Sequence, residues 1–356
     1  MTRYPESLQW FDAHLDLAYL ALSGRDMLKS PAESGSFNQP ACITLPALQA
    51  AQVKWALGTI FTEPGGPQYP YGYQDANDIA GANLAGRLQL EIYQQWEKQG
   101  HVRIIKTSAD LDPHPAQDDP LQIILLMECA DPIMSMDDAH WWHEQGVRVV
   151  GLAWTYACRY AMGNGVAPDQ GGLTDAGKAM VRTLDDLGIV HDLTHLNHTA
   201  ASELLALATG PVVATHSASR TLQEKALPVV EGMSPGLAAQ RHISDEHLAL
   251  LQKRGGMVGL PLYDKFLRKH PEHPSNLRRV MEHLNYLADK LGGWQHVGIG
   301  SDFDGGFTAL QTPQGLEGPE RLHNLAASLC ETGRDESAIR AIACENWLRY
   351  FKQVLP

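Results

Sequence analysis

The stretch Leu121-Gln-Ile-Ile-Leu-Leu-Met127-Glu128 is an apolar run of strand length that ends at a carboxylate. A nearly continuous apolar run of this length is typical of a strand buried on both faces, as the strands of parallel sheets are. Comparable runs recur along the chain, and segments with helical character lie between many of them. The eight runs cover residues 8–13, 53–60, 121–127, 147–153, 189–193, 211–215, 257–260 and 297–300.

The alternation of strands and helices predicts the fold class. Eight buried strands with helices between them predict an α/β fold with a parallel sheet, and the number eight favours a closed (β/α)8 barrel of the TIM type. An open, doubly wound sheet is the alternative, because periodicity alone does not distinguish it from a barrel. The predicted helices cover 75–98, 174–187, 244–253, 276–291 and 337–354, with Thr174 and Ser244 as helix starts.

The length of the chain is compatible with one barrel. Its 356 residues exceed the ~250 of a typical (β/α)8 barrel by an amount that insertions supply. We therefore interpret residues 1–356 as a single domain. Two long connections, at about 61–74 and 219–240, are predicted to be βα loops, which carry substrate contacts in barrels.

Composition argues against several classes of partner. Lysine and arginine number 28 against 41 aspartate and glutamate, and the resulting net charge of −13 argues against nucleic acid. No stretch approaches the ~20 apolar residues of a membrane span, and the N-terminal residues lack the features of a signal peptide. The five cysteines form no Cys-x-x-Cys pair, which favours reduced thiols. We expect a cytoplasmic enzyme with no membrane partner.

Histidine and carboxylate side chains stand where several of the predicted strands end. His14 and Asp16 lie two residues apart, so in an extended chain they face the same side. Taken singly, each such residue is more simply a satisfied polar terminus or a capped helix start. Together they fall at the carboxyl ends of parallel strands, the face on which barrels keep their active sites. The residues are His14, Asp16, Glu128, His195, His216 and Asp302.

The types of these side chains predict a metal site. Imidazole and carboxylate ligands without thiolate suit Zn²⁺ or a similar first-row metal. Five candidate ligands are more than one catalytic zinc with an open position requires. A Glu128 that bridges two zinc ions accounts for the number, and two ions about 3.5–4 Å apart can share a hydroxide that attacks a carbonyl. Asp302 is then left to move protons or to bind a substrate amine.

The chain resembles the membrane (renal) dipeptidase family, the M19-type metallopeptidases of the amidohydrolase superfamily. Its motifs follow the family's order over nearly the whole chain, and His296-Val-Gly-Ile-Gly-Ser-Asp-Phe-Asp-Gly305 is the most specific of them. The others include Asp12-Ala-His-Leu-Asp16, Glu128, Asp192-Leu-Thr-His195, Thr215-His-Ser217, Arg241-His-Ile-Ser-Asp245 and Asn346-Trp-Leu-Arg349.

The resemblance implies a dipeptidase with two zinc ions and a small dipeptide substrate, which in bacterial members is often of the L-Xaa-D-Xaa type. A homodimer is left open. Arg241 is implied to pair with the substrate carboxylate, and Tyr263 stands where the family has a substrate-contacting tyrosine. Asp302 and the bridging Glu128 are the implied catalytic residues. The implied ligands are His14, Asp16 and Glu128 for one zinc, and Glu128, His195 and His216 for the other.

One position departs from the family. Trp154 stands where the family has a histidine that faces the substrate after the fourth strand. An indole N–H donates a hydrogen bond but cannot accept or release a proton as imidazole does. Trp154 therefore donates to the oxyanion, or the metals carry that task, or the substrate differs. Two alternatives to a dipeptidase follow, namely hydrolysis of an N-acyl amino acid or a lactone, and a catalytically silent metal-binding barrel.

Overall fold

The computed structural model describes residues 8–223, 235–270 and 272–356. Eight parallel strands of these ranges form the main sheet, and each overlaps one of the eight predicted runs, so all eight strand predictions are confirmed. The strands are β1 (Trp10–Leu15), β2 (Val53–Ile60), β3 (Leu121–Met127), β4 (Val147–Gly151), β5 (Val190–Asp192), β6 (Val212–Val213), β7 (Val258–Leu260) and β8 (Val297–Ile299). A short strand, Val102–Ile104, pairs with β3 in addition.

The strands are arranged in a ring. They follow one another across the sheet in chain order, and β8 pairs with β1. A parallel bridge between Ala214 and Val258 then joins the end of β6 to β7. In this bridge the N–H of Ala214 donates to the carbonyl of Met257, and the N–H of Gly259 donates to the carbonyl of Ala214, both at 2.9 Å. The predicted barrel is therefore confirmed, and the open sheet is wrong.

Glycine is required where β6, β7 and β8 meet. A Cβ atom placed on Gly259 or on Gly300 would lie 2.0 Å from the carbonyl oxygen of Thr215. No side chain fits in that space, because the backbones approach each other too closely. The two glycines thus allow the last strands to close around the residues that follow β6.

Helices lie between the strands and outside them. The predicted starts are confirmed for two of them, since the hydroxyls of Thr174 and Ser244 accept from the N–H groups of Gly177 and His247. The α-helices are α1 (Leu17–Leu22), α2 (Leu45–Ala50), α3 (Ile79–Lys98), α4 (Met136–Gln145), α5 (Asp175–Asp186), α6 (His198–Leu207), α7 (Pro235–Ala239), α8 (Asp245–Lys253), α9 (Asp264–Leu267), α10 (Leu277–Lys290), α11 (Leu322–Glu331), α12 (Glu336–Arg340) and α13 (Asn346–Val354). Short 3₁₀ segments lie at Pro31–Glu33, Pro168–Gln170, Thr221–Gln223, Trp294–His296, Ala309–Gln311 and Pro319–Arg321.

Two of the helix predictions were wrong in part, because one helix begins later than predicted and another is interrupted. The helix predicted from residue 75 begins at Ile79, because the carboxylate of Asp78 accepts from the N–H groups of Gln74 and Gly81 and so caps the helix at that point. The helix predicted over 337–354 is interrupted by the π-helical turn Ala341–Glu345, which separates α12 from α13.

Alternation along the strands divides the core into two layers. On β3, Ile124 and Leu126 belong to the cluster inside the barrel, whereas Ile123 and Leu125 pack outward beneath the helices. Glu128 continues the inward-facing row at the carboxyl end of this strand. The opposite end of the barrel is closed by α13 and is lined with aromatic side chains. Rings of Trp347 and Phe351 stack on Phe11 with centroids 6.0 and 5.7 Å apart.

The structure describes the first of the two predicted loops completely and the second in part. In the first, Glu63–Pro64 pairs with Gly72–Tyr73 as a small parallel ladder, so this connection is an ordered substructure. In the second, residues 224–234 lie outside the described residues, and the described parts form Thr221–Gln223 and α7. The single-domain interpretation of residues 1–356 stays a prediction.

Two further properties bear on the sequence-based expectations. All five cysteines are free of disulfides in the structure. Within the described ranges, no helix combines the length and the apolar character that crossing a membrane requires.

Asp185, near the end of α5, connects three parts of the fold. Its carboxylate accepts from the N–H groups of Thr209 and Gly210 at 2.8 Å and lies 2.7 Å from Nε2 of His191. Burial alone would raise the pKa of Asp185, but the hydrogen bonds from His191 and the two backbone groups outweigh it and lower the pKa below its usual value. The ionised form is therefore the one that the folded state prefers.

We expect Asp185→Ala to lower the free energy of unfolding by about 2 kcal/mol at pH 7, because charge-assisted hydrogen bonds are lost. The contribution of Asp185 should be complete above pH ~4, the pKa of an unperturbed aspartate, and should be lost as the pH falls toward the depressed pKa of the folded state. Urea denaturation at several pH values measures both effects. Asp186→Ala, which removes the exposed neighbouring carboxylate, is the control. Equal stability of Asp185→Ala and the parent at pH 7 would contradict this account.

Candidate active site

The predicted side chains at the strand ends meet at the carboxyl mouth of the barrel. His14 is surrounded by carboxylates, because its Nε2 lies 3.6 Å from Asp16, 3.7 Å from Glu128 and 4.0 Å from Asp302. His14 lies within an irregularity in the register of β1 and β2, between Asp12 and Leu15. The hydroxyl of Thr59 on β2 donates to the carboxylate of Asp16 and fixes that side chain.

Glu128 lies at the centre of the group. Its Oε1 is 3.1 Å from Nε2 of His195 and 3.7 Å from Nε2 of His216, in addition to the contact with His14. The two Nε2 atoms of His195 and His216 are themselves 3.1 Å apart. Ligand atoms from β1, β3, β5 and β6 thus converge on one carboxylate oxygen.

Several polar atoms of this cluster are buried without a partner. Both ring nitrogens of His14 and Oε2 of Glu128 lack a hydrogen-bond partner among the residues that the structure describes. A buried carboxylate or imidazole without a partner is unfavourable, and a cation removes the cost. Two sets of three ligand atoms each lie within 4.8 Å of one another and could each hold a metal ion. They are His14, Glu128 and His216, and His14, Asp16 and Asp302. The donor set fits first-row metal ions.

The electrostatics of the cluster agree with a cation. Burial, followed by the charges of neighbouring imidazole and guanidinium groups, holds the pKa values of His14, His195 and His216 well below their usual range. The imidazoles are therefore neutral, which is the form that binds metals. Burial and the charge of Asp16 raise the pKa values of Glu128 and Asp302, so these carboxylates ionise readily only if a positive charge lies among them.

Side chains to which the sequence analysis assigned no role orient the histidines. Nδ1 of His195 lies 3.1 Å from Oδ1 of Asn164, which can only accept, so the ring donates there and leaves Nε2 for a metal. The hydroxyl of Thr215 donates to Asp192 at 2.5 Å and lies 3.0 Å from Nδ1 of His216. Asp192 ends β5 and belongs to the motif Asp192-Leu-Thr-His195, so its position in the sequence could have indicated a role at the site. Asn164 lies in a loop, and nothing in its local sequence indicates its role.

Backbone strain accompanies the cluster. His195 and Asp302 have positive φ angles of 68° and 61°, which non-glycine residues adopt rarely. The carbonyl of His195 accepts from the N–H of Asn164 at 2.7 Å, and the N–H of Asp302 donates to the carbonyl of His14 at 3.2 Å. These bonds hold both residues in conformations that cost free energy, a pattern typical of functional sites.

The predicted substrate-binding residues line a cavity of about 350 Å³ above the cluster. Arg241 is buried, and one nitrogen of its guanidinium, Nη1, donates to the carbonyl of His216 at 2.9 Å. Its Nε and Nη2 have no hydrogen-bond partner in the described part of the chain. Tyr263 stacks on Phe307 with ring centroids 4.4 Å apart, and the ring of Trp154 lies 5.8 Å from that of His195. The structure thus brings together every residue predicted for the site.

Comparison with known proteins establishes the relationship that the motifs indicated. The family model for membrane dipeptidase, peptidase family M19, matches residues 3–355. The chain belongs to this family. It is therefore a hydrolase of peptide bonds in a family of metal-dependent dipeptidases.

Individual relatives are consistent with this assignment. The uncharacterized protein of the pqqA 5′ region of Klebsiella pneumoniae is 30% identical over 276 residues, which cover 75% of this chain and 94% of that protein. Dipeptidase AclJ of Aspergillus oryzae is 27% identical over 60% of this chain, and the match spans about half of its length, 46%. A metallopeptidase from Rhodobacter sphaeroides, solved with a phosphinate mimic of the dipeptide L-Ala-D-Ala, is 25% identical with a TM-score of 0.78. That match covers 99% of this chain and 100% of the other.

We expect Asn164→Ala to weaken metal binding and dipeptide turnover by about 10- to 100-fold, because the ring of His195 loses the acceptor that orients it. Competition with a chromogenic chelator measures the metal affinity, and initial rates measure the turnover. Asn83→Ala is the matched control, since Asn83 is also buried but donates to the carbonyl of Pro132, away from the cluster. Unchanged metal affinity in Asn164→Ala would show that His195 is oriented without this residue.

Proposed function

We propose that the protein is a zinc-dependent dipeptidase that holds two zinc ions at the mouth of the barrel. The observation that carries the proposal is the arrangement of the cavity, which has the ligand cluster at its base and, on its wall, the guanidinium of Arg241 with two nitrogens that have no partner among the described residues. The proposed ligands are His14, Asp16 and Glu128 for one ion, and Glu128, His195 and His216 for the other. When bound, zinc would supply a water molecule of lowered pKa and would polarise the scissile carbonyl.

Arg241 is proposed to bind the C-terminal carboxylate of the dipeptide. Its free Nε and Nη2 lie on adjacent corners of the planar guanidinium, which is the geometry that binds a carboxylate through two parallel hydrogen bonds. The face of Phe266 lies 4.5 Å from the guanidinium carbon and holds the group in place. Burial lowers the pKa of Arg241 to about 10, so the guanidinium stays charged at neutral pH.

Asp302 is proposed to move the proton during the reaction. Its carboxylate lines the cavity and lies beside His14 and Gly305, within the ligand cluster. A carboxylate in this position can accept the proton of the attacking water and deliver it to the leaving amine. Asp302 also lies close enough to His14 and Asp16 to serve as a metal ligand. The same carboxylate is therefore a candidate for proton transfer and for metal binding.

Trp154 and Tyr263 complete the proposed substrate contacts. Trp154 lines the cavity beside His195, and its indole N–H, which can only donate, is proposed to donate to the developing oxyanion. The mimic of L-Ala-D-Ala bound by the Rhodobacter sphaeroides relative supports L-Xaa-D-Xaa dipeptides as the first substrates to examine. A cytoplasmic location and a homodimer are further proposals, which rest on composition and on the family resemblance.

The tryptophan at position 154 favours a second candidate function. Hydrolysis of an N-acyl amino acid would keep the carboxylate that Arg241 binds and would need no recognition of a free amine. A lactone hydrolase would need neither group, and a silent barrel would bind metals without turnover. Assays on a dipeptide library, N-acyl amino acids and lactones distinguish these functions.

Removal of the metal should abolish dipeptide hydrolysis, because the cluster contains no other group that lowers the pKa of water. Dialysis against a chelator followed by titration with Zn²⁺ measures both the loss and the recovery. We expect activity to return in proportion to zinc and to reach a plateau at two equivalents per chain. A plateau at one equivalent would contradict the pair of ions, and full turnover by the stripped protein would contradict the whole proposal.

Arg241→Ala should lower kcat/KM for L-Ala-D-Ala by about 100-fold or more, because the substrate carboxylate loses a buried charged partner. The amide L-Ala-D-Ala-NH2 serves as the control substrate. It lacks the carboxylate and should be hydrolysed poorly by the parent and equally poorly by the variant. A similar loss on both substrates would assign Arg241 to the support of His216, whose carbonyl it contacts, rather than to recognition.

A further inference from the structure

One acidic side chain of the cavity has no task in the proposed reaction. Glu63 follows β2 and lines the cavity above the ligand cluster. It also lines a second, more open groove of about 510 Å³, which includes Tyr69, Asp75 and Tyr156. Glu63 thus stands where the inner cavity meets the outer groove. A group that extends outward from the reaction centre would pass this carboxylate.

The backbone holds Glu63 in a defined position, whereas its carboxylate forms no ion pair with any residue that the structure describes. The N–H of Glu63 donates to the carbonyl of Tyr71, and Glu63–Pro64 pairs with Gly72–Tyr73. Across residues 8–223, 235–270 and 272–356, no lysine, arginine or histidine forms an ion pair with Glu63. Burial raises the pKa of Glu63. Burial also raises the pKa values of Tyr19, Tyr71 and Tyr156, and the charge of Glu63 adds to each rise. Tyr19 and Tyr71 line the inner cavity together with Glu63, and Tyr156 lines the outer groove with it.

Aromatic rings form a continuous wall beside this carboxylate, which we name the aromatic wall. Tyr19 meets Tyr71 and Phe61 edge to face, with ring centroids 4.7 and 5.5 Å apart. Phe61 in turn meets Trp154, with centroids 5.2 Å apart. Ring faces with a carboxylate at their edge are the combination that attracts a desolvated cation.

The topology of the barrel sets the direction of the substrate. Arg241 lies between β6 and β7, whereas Phe61 and Glu63 follow β2 directly. In a ring of eight strands, β2 and β6 stand on opposite sides of the mouth. A dipeptide whose carboxylate binds Arg241 and whose amide lies over the cluster therefore directs its N-terminal residue toward the aromatic wall.

We propose that the aromatic wall and Glu63 form a subsite for a cationic side chain on the N-terminal residue, so that dipeptides beginning with arginine or lysine are preferred. The proposal rests on the proposed dipeptidase function. The α-amino group is the other cation of a dipeptide, but it is bonded to the carbon next to the scissile carbonyl. It therefore lies over the cluster, near Asp16 and Asp302. A side chain can extend from there to the junction at Glu63.

The test compares substrates that differ in charge but hardly in shape, with the zinc-loaded full chain as the enzyme. L-Arg-D-Ala is compared with L-citrulline-D-Ala, in which a neutral urea replaces the guanidinium. We expect the parent to favour the arginine substrate by about 10- to 100-fold in kcat/KM, the effect of one charged hydrogen-bonded contact. Glu63→Gln should remove this preference through KM and leave the citrulline substrate within about twofold.

Two further variants sharpen the result. Asp75→Asn removes a carboxylate from the outer groove alone and should leave both substrates unchanged. Glu63→Lys should reverse the preference and favour L-Glu-D-Ala over L-Arg-D-Ala.

Each remaining outcome overturns the inference in an identifiable way. An equal loss on both substrates in Glu63→Gln would assign the residue to the shared α-amino group or to the loop structure. No change on either substrate would remove Glu63 from recognition. If the zinc-loaded parent hydrolyses no dipeptide at all, the proposed function itself is wrong, and this subsite falls with it. Hydrolysis without a preference for cationic residues would overturn the subsite alone.

Discussion

The carboxylate of Glu128 is buried at the end of an apolar strand, and the described residues around it supply too little positive charge to neutralise it and its neighbours. Asp16 and Asp302 crowd the same space, and among the residues that the structure describes Arg241 is the cationic side chain whose charge lowers the pKa values of both Glu128 and Asp302. These carboxylates are almost fully buried, so solvent screens their charges only weakly. The fold therefore concentrates ligands that repel one another unless cations bind between them. This constraint accounts for the buried polar atoms of the site that have no partner among the described residues.

Much of the fold was predictable from local sequence because each strand is buried on both faces. Such strands are apolar throughout, so they stand out without any knowledge of their neighbours. The strand ends were also informative, because burying a histidine or carboxylate after an apolar run costs free energy unless the group has a partner or binds a cation. His14, Glu128 and His216 could therefore be placed at one mouth before their contacts were known.

What the sequence did not reveal depends on contacts between distant parts of the chain. Asn164 orients His195 from a loop, and its neighbours in sequence give no sign of this. Glu63 belongs to a loop rich in glycine, proline and tyrosine, and its exposure to the cavity follows from the small ladder that the loop forms. The break between α12 and α13 arises within a segment whose hydrophobic pattern is continuous. The irregularity in β1 likewise cannot be predicted from the rule that successive side chains of a strand alternate between its two faces.

The opposition of β2 and β6 has a consequence for how this protein can diverge. Arg241, the proposed anchor for the substrate carboxylate, and the aromatic wall are carried by different loops, but their separation is set by the diameter of the barrel. Amino-acid substitutions in the loop after β2 can change which substrate side chain binds without changing the length of substrate that fits in the mouth of the barrel. The barrel diameter thus fixes the distance between the two proposed subsites, and the loops determine which side chains bind there.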